Sequence, residues 1–255
     1  MSDAVAGELA RLSRALGEPR RELAILAEGN TSARLGAGRI LVKASGSSLA
    51  TAGPRDFVAL DTAVLVAALD DPGLGEAGLG AALLAARLRD DGPRPSIEAA
   101  LHAICAEEAG SAFVGHTHPV SVNGILCSDR AEAIVAGALF PDQVVVLGRH
   151  PLLVPYASPG LPLARAVRAG LREHTARHGA APKTIYLRNH GLFALGASAA
   201  EVLQITEMAD KVARILAGAL AAGVPQYIGA DEEDCLDARE DEIHRRRLLA
   251  ARRVG

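Results

Sequence analysis

Short apolar runs of strand character interleave with longer amphipathic stretches along this chain, and that alternation predicts an α/β or α+β fold. Three stretches carry the prediction. "GNTSARLGAGRILVKASGSS" reads as two alternating strands joined at Gly36-Ala37-Gly38, where glycine supplies the positive φ of a hairpin. "KTIYLRNHGLFALG" reads as two strands meeting near His190-Gly191. "SAAEVLQITEMADKVARILAGALAAG" is the longest helical pattern, opened by a serine cap and closed by glycine. No repeat, low-complexity linker or composition break divides the chain, so residues 1–255 are expected to form one domain with a helical C-terminal tail.

Taken in order, residues 4–27 predict two helical pieces broken at "LGEPR", with Leu9, Leu12 and Leu16 on the buried face of the first. "DFVALD" is a short strand, and "TAVLVAALDD" a helix that Asp61 or Thr62 can cap. The glycine-rich "DPGLGEAGLG" (71–80) reads as a surface loop; it lacks the Lys-Ser/Thr ending of a phosphate-cradling loop. "RPSIEAALHAICAEEAG" turns into a helix with Ser96 as candidate cap, and "AFVGHTH" is a buried strand. "PVSVNGILCS" and "AEAIVAGALF" are expected to be helices, "DQVVVLG" and "LLVPYA" strands. "LPLARAVRAGLREHTARHG" is an amphipathic helix ending at Gly179. The tail places acid before base, which suits the dipole of a terminal helix.

Composition narrows the function. The chain is 49% hydrophobic with a formal net charge of -3, and only the terminal "HRRRLLAARR" is basic, which argues against nucleic acid as a partner. No stretch approaches the roughly 20 apolar residues of a membrane span, so no membrane partner is expected. The three cysteines, Cys105, Cys127 and Cys235, show no disulfide spacing, and a cytoplasmic location is the expectation.

Of the histidines, His174, His178 and His244 fall on polar helix faces and read as solvated. His150 stands in a turn before proline, and His102 lies four residues after Glu98, on the same helix face. In "FVGHTHPVSV", His116 and His118 are two apart on a strand and point to one face. Such a pair is a coincidence, a pH-sensitive couple or half of a metal site. His190, in "LRNHGLFALG", stands where polar groups interrupt a buried sheet and therefore need partners. Three imidazoles from two strand ends would make a zinc-type site with an open position, the catalytic pattern, although spacing alone does not bring His190 to the pair.

Five stretches in this order, "EGNTS", "VKASGSS", "PSIEAALH", "GHTHP" and "LRNHGLFALG", resemble the class II aldolase/adducin family over about residues 20–225. The resemblance implies a three-layer αβα fold whose central sheet is largely antiparallel and flanked by helices. It implies a divalent metal, usually Zn2+ (Co2+ or Mn2+ being other candidates), on His116, His118 and His190, with Glu98 beside it as ligand or acid/base. It assigns Gly29, Asn30, Ser45, Gly46 and Ser96 to a substrate's anionic end, where Lys43 could add charge. It also implies a homo-oligomer, often a fourfold tetramer with the site near a subunit boundary. Tyr227 is a candidate proton donor across that boundary.

Two departures bear on the substrate. Ile97 stands where sugar-phosphate aldolases of the family often carry a second serine, and no tyrosine falls between Val120 and Leu153. Lys43 and "PYASPGLPLARAV" look more like the aldolase-like halves of fusions with short-chain dehydrogenases. The function implied is a metal-dependent aldolase that cleaves a hydroxylated carbonyl compound, a sugar or sugar phosphate, through a metal-stabilised enediolate. The alternatives are a 3-oxo acid decarboxylase, a dehydratase or a pentulose-phosphate 4-epimerase using the same intermediate. A non-catalytic adducin-like scaffold ranks last, because a scaffold has no use for an open metal site.

Overall fold

The computed structural model describes residues 2–36, 38–242, 244 and 248. It begins with α1 (Ser2–Leu16), whose Leu9, Leu12 and Leu16 are buried at helical spacing. Each such leucine contributes about 1.5–3 kcal/mol on leaving water. The hairpin follows as β1 (Asn30–Gly36) and β2 (Arg39–Lys43), with Ala37 at its tip outside the described residues. Then come β3 (Phe57–Asp61), α2 (Thr62–Asp70), α3 (Glu76–Ala85), α4 (Ala99–Glu107) and β4 (Phe113–Thr117). Next are α5 (Val120–Leu126), α6 (Pro141–Leu147), β5 (Leu152–Val154) and α7 (Leu161–His178). The chain continues through β6 (Thr184–Leu187), β7 (Gly191–Gly196), α8 (Ala199–Ala222) and α9 (Ala230–Ala238).

The strands form one seven-stranded sheet in the order β3-β2-β1-β4-β7-β6-β5. Every pairing is antiparallel except β5 with β6, so the sheet is mixed and largely antiparallel. Alternation along the strands assigns side chains to two separate cores. Leu41, Phe57, Tyr186, Leu192 and Ala194 pack with α1, α5 and α8 on one face. Ile40, Val42, Val58, Leu60, Ile185, Leu187, Phe193 and Leu195 pack with α2, α3, α4 and α7 on the other. The result is three layers, helix on sheet on helix, as expected.

Several local expectations are corrected. Residues 141–147 are helix α6 and not a strand: Pro141 sits in the first turn, and Gln143, Val144, Val145 and Leu147 are buried at helical spacing. Tertiary packing there overrides the strand preference of the valine run. The stretch taken as a loop at 71–80 holds the start of α3, because Leu79 and Leu83 are drawn into the core. The second N-terminal helical piece is a single 3-10 turn, Pro19–Arg21; Glu22 and Leu26 then take positive φ (54° and 52°). For a residue with a side chain that conformation costs about 1–2 kcal/mol, and it cannot continue a helix. The expected helix over "AEAIVAGALF" is also only a 3-10 turn, Ala131–Val135. His174 is buried rather than solvated, its ring nitrogens 3.2 Å from Ala180 O and 2.8 Å from His150 O. Asp61, not Thr62, caps α2, accepting from the Ala63 amide. Ser96 is not the helix cap itself; its Oγ accepts from the Glu98 amide one turn before α4. In the predicted basic end of the tail, residues 245–247 and 249–255 lie outside the described residues. No described helix is long and apolar enough to cross a membrane.

Candidate metal centre

The centre of the sheet supplies the site. β4 ends at Thr117, so His116 and His118 leave the strand on one side, with ring centroids 4.7 Å apart. β7 pairs with β4, and the turn entering β7 carries His190. Asn189 takes a left-handed φ of 56° there, the His190 amide donates to Leu187 O, and Asn123 Nδ2 donates to His190 O. Backbone and side-chain bonds therefore fix the third histidine from both ends. One ring nitrogen from each of His116, His118 and His190 lies within 4.8 Å of the other two, a cluster able to hold a metal and without parallel among the described residues.

Close approach makes this possible at Gly191. A Cβ on Gly191 would stand 2.6 Å from both the Thr117 carbonyl oxygen and His118 Cδ2, so no side chain fits between the two strands there. Gly29 plays a comparable part on the other side, with φ 75° and a hypothetical Cβ only 2.8 Å from His116 O.

The partners of the rings set their tautomers. His116 Nδ1 lies 3.0 Å from Leu192 O, which only accepts, so Nδ1 carries the proton and Nε2 a lone pair. His118 Nδ1 lies 3.1 Å from a Glu28 carboxylate oxygen, with the same consequence. Yet the two Nε2 atoms face each other at 3.0 Å. Glu98 Oε1 adds an anionic oxygen 3.2 Å from His190 Nε2 and 3.5 Å from His116 Nε2. The Nε2 lone pairs of His116 and His118 converge with the Glu98 carboxylate, a set that suits a cation. The residues present therefore fit a divalent metal of the imidazole-binding kind.

Ionisation follows the same geometry. Burial, with His116 and His190 adding repulsion, pushes His118 down to about 4. Burial acts to raise the Glu98 carboxyl, but the attraction and hydrogen bonds that protonated His116 and His190 would offer outweigh it and pull it well below the usual carboxylate range. Asn30 Nδ2 donates to the other Glu98 oxygen at 2.6 Å, and Asn30 is the cross-strand partner of His116. Two residues further along, on the same face, Ser32 Oγ meets His102 Nδ1 at 2.7 Å. Asn30 and Ser32 on β1 thus hold Glu98 and His102, one helical turn apart, as two rungs of a ladder. His102 is fully buried, and burial pushes it down to about 3.

The remaining expected residues divide. Ser45 and Gly46 form an exposed turn; the Ser45 amide donates to Arg94 O and Ala44 bridges Pro95, so the turn lies against the segment carrying Ser96. Lys43 is buried beneath that turn, donating to Ser47 O at 2.5 Å and Ala44 O at 3.3 Å. Burial lowers its pKa, against the attraction of Asp56 and Glu98. Tyr227 makes its contacts elsewhere: its hydroxyl donates to Ala133 O at 2.8 Å and its ring packs on Gly137. Sequence reasoning missed Glu28, although it stands directly before Gly29-Asn30, and missed the Ser32–His102 rung. The signal available for Glu28 was its place at the head of "EGNTS", in the loop that the histidines face.

The model of the family described as Class II Aldolase and Adducin N-terminal domain matches residues 7–217. This chain belongs to that family. Class II aldolases depend on a divalent metal, and the histidine triad of this family member is a set able to hold one. Solved structures give the same fold. An L-fuculose 1-phosphate aldolase is 17% identical, with 93% of this chain and 96% of that one covered at a TM-score of 0.70. YgbL from Escherichia coli, whose description offers aldolase, epimerase and decarboxylase as alternatives, is 21% identical (93% and 99% covered, TM-score 0.69). The N-terminal class II aldolase domain of a conserved Thermoplasma acidophilum protein is 24% identical (82% and 92% covered, TM-score 0.65). Among curated proteins, the uncharacterized oxidoreductase YuxG of Bacillus subtilis (strain 168) is 27% identical over 165 residues, 65% of this chain. That match spans 22% of YuxG's own length.

Proposed function

We propose that this family member is a metal-dependent lyase that cleaves a hydroxylated carbonyl compound, a sugar or sugar phosphate, by retro-aldol chemistry. The observation that carries the reading is the convergence of the His116, His118 and His190 nitrogens with the Glu98 carboxylate. A divalent ion there, zinc in the first instance with Co2+ or Mn2+ as substitutes, would supply a Lewis acid for substrate oxygens. Glu98 would take the hydroxyl proton of the substrate; its depressed pKa keeps it ionised, and Asn30 holds one of its oxygens while the other faces the histidines, which supports this role. The C–C bond then breaks, its electron pair stays on the carbonyl-bearing fragment, and Glu98 can return the proton to that carbon.

The substrate's far end is assigned to the turn of Ser45 and Gly46 with Ser96, Gly29 and Asn30 around it. The Ser45 amide is already bonded, so Ser45 would contribute its hydroxyl, while Lys43 lends positive charge from below the turn. Ile97, 44% exposed, offers no hydroxyl at this end, and that favours a second reading: decarboxylation, dehydration or epimerisation of a less phosphate-dependent substrate through the same site. In a homotetramer Tyr227 would serve a neighbouring subunit's site as proton donor, exchanging its bond to Ala133. A cytoplasmic location fits such a role.

A panel of ketose phosphates, free ketoses and 3-oxo acids, assayed with zinc-loaded protein, tests this. Aldol cleavage is expected, with inorganic phosphate competing and Ser45→Ala raising KM more than it lowers kcat. Turnover of 3-oxo acids alone would give the site to the second reading, and no turnover at all would remove the enzyme assignment.

A further inference from the structure

Glu28, like Glu98, sets a carboxylate against a metal-site imidazole, and its geometry is fixed before it reaches the ring. Its Oε1 accepts the Ile25 amide at 2.7 Å, and its own amide donates back to Ile25 O at 3.2 Å. These two bonds close the turn 25–28 around Leu26, which is held at φ 52° with its side chain outside the protein. The turn is anchored to the histidine segment as well: the His118 amide donates to Leu23 O and the Val120 amide to Glu22 O. Glu28 Oε2 is thereby presented to His118 Nδ1 at 3.1 Å, although the Glu28 side chain is 30% exposed. A surface carboxylate free to rotate would spend most of its time in water; this one is tied down locally.

We infer that Glu28 is a positioning residue for His118, fixing the Nδ1–H tautomer that leaves Nε2 free to ligate, and so couples the turn 25–28 to metal affinity. The inference rests on the reading of His116, His118 and His190 as a metal site. The physical ground is that a ligating imidazole binds through one nitrogen while the other donates, and the partner of that second nitrogen selects tautomer and ring angle. Without Glu28 the ring is free to carry its proton on Nε2, which must be lost before a metal can bind. His116 does not share this dependence, because Leu192 O belongs to the sheet and cannot be displaced by a loop.

The test measures zinc affinity by chelator competition on the intact protein, together with the nitrogen and proton NMR signals of the His118 ring in the metal-free state. Glu28→Ala is expected to weaken zinc binding about 10- to 100-fold and to shift His118 toward the Nε2–H form. Glu28→Gln, which keeps one acceptor oxygen, should recover part of both. A role confined to closing the turn would lower the unfolding midpoint and leave the His118 tautomer unchanged. That result, or wild-type zinc affinity in Glu28→Ala, would overturn the inference while the three-histidine site stands. Failure of the unaltered protein to bind zinc would instead remove the metal reading itself.

Discussion

Glu98→Gln is expected to lower kcat by on the order of a hundredfold or more while leaving the fold intact. Glutamine keeps the volume and one oxygen for the Asn30 donor, which now holds Glu98 Oε2 at 2.6 Å. The other end becomes an NH2 group facing the Nε2 atoms of His190 and His116, at the positions where Glu98 Oε1 lies 3.2 and 3.5 Å away. It can donate to the His116 lone pair, so the local structure survives, but it can neither take nor return a proton. Steady-state turnover of the active substrate, with unfolding followed in parallel, reads the effect. A variant with the wild-type rate would reduce Glu98 to a carboxylate favoured by its place at the start of α4.

The second large effect is on stability in acid. Buried His102 and half-buried His118 have pKa values below their ordinary 6.5, at about 3 and about 4, both first through desolvation. In the unfolded chain each binds a proton near 6.5; in the folded protein each resists it. Between pH 6.5 and about 4 the unfolded state therefore holds more protons, and stability falls as pH drops. Each histidine can remove up to about 1.4 kcal/mol per pH unit across that window. Below the ordinary range of a glutamate, the depressed Glu98 adds a loss of the same sign. Urea unfolding of metal-free protein at pH 7.5 and 4.5 should show a large drop, and His102→Gln should shrink it. Equal stability at the two pH values would contradict the burial argument.

What was legible in the sequence is what short-range pattern encodes. The period of two put His116 and His118 on one face, and the turn residues around Gly36-Gly38 and His190-Gly191 marked the strand ends correctly. The serine cap of α8 and the glycine stop of α7 were equally local. The meeting of His190 with the pair was not local: it depends on β7 pairing with β4 across 70-odd residues of intervening chain, and only the order of the family motifs pointed to it. The valines of α6 and the glycines of α3 misled because packing, not propensity, decided those elements. His174 looked solvated because its carbonyl partners come from the His150 turn and the Ala180 loop, which no helix-face argument can see. Two further contacts lay beyond any short-range pattern: the Asn30 side chain holds Glu98, and the Ser45 amide holds Arg94 O.

The central claim is that His116, His118 and His190 form one metal site, and the metal content of purified protein measured with and without His118→Ala tests it most directly. The arrangement predicts about one divalent ion per chain in the unaltered protein, as for other three-imidazole sites. It predicts loss of most of that ion when His118, whose Nε2 stands 3.0 Å from that of His116, becomes alanine. Equal metal content in the two proteins, or none in either, would contradict the account.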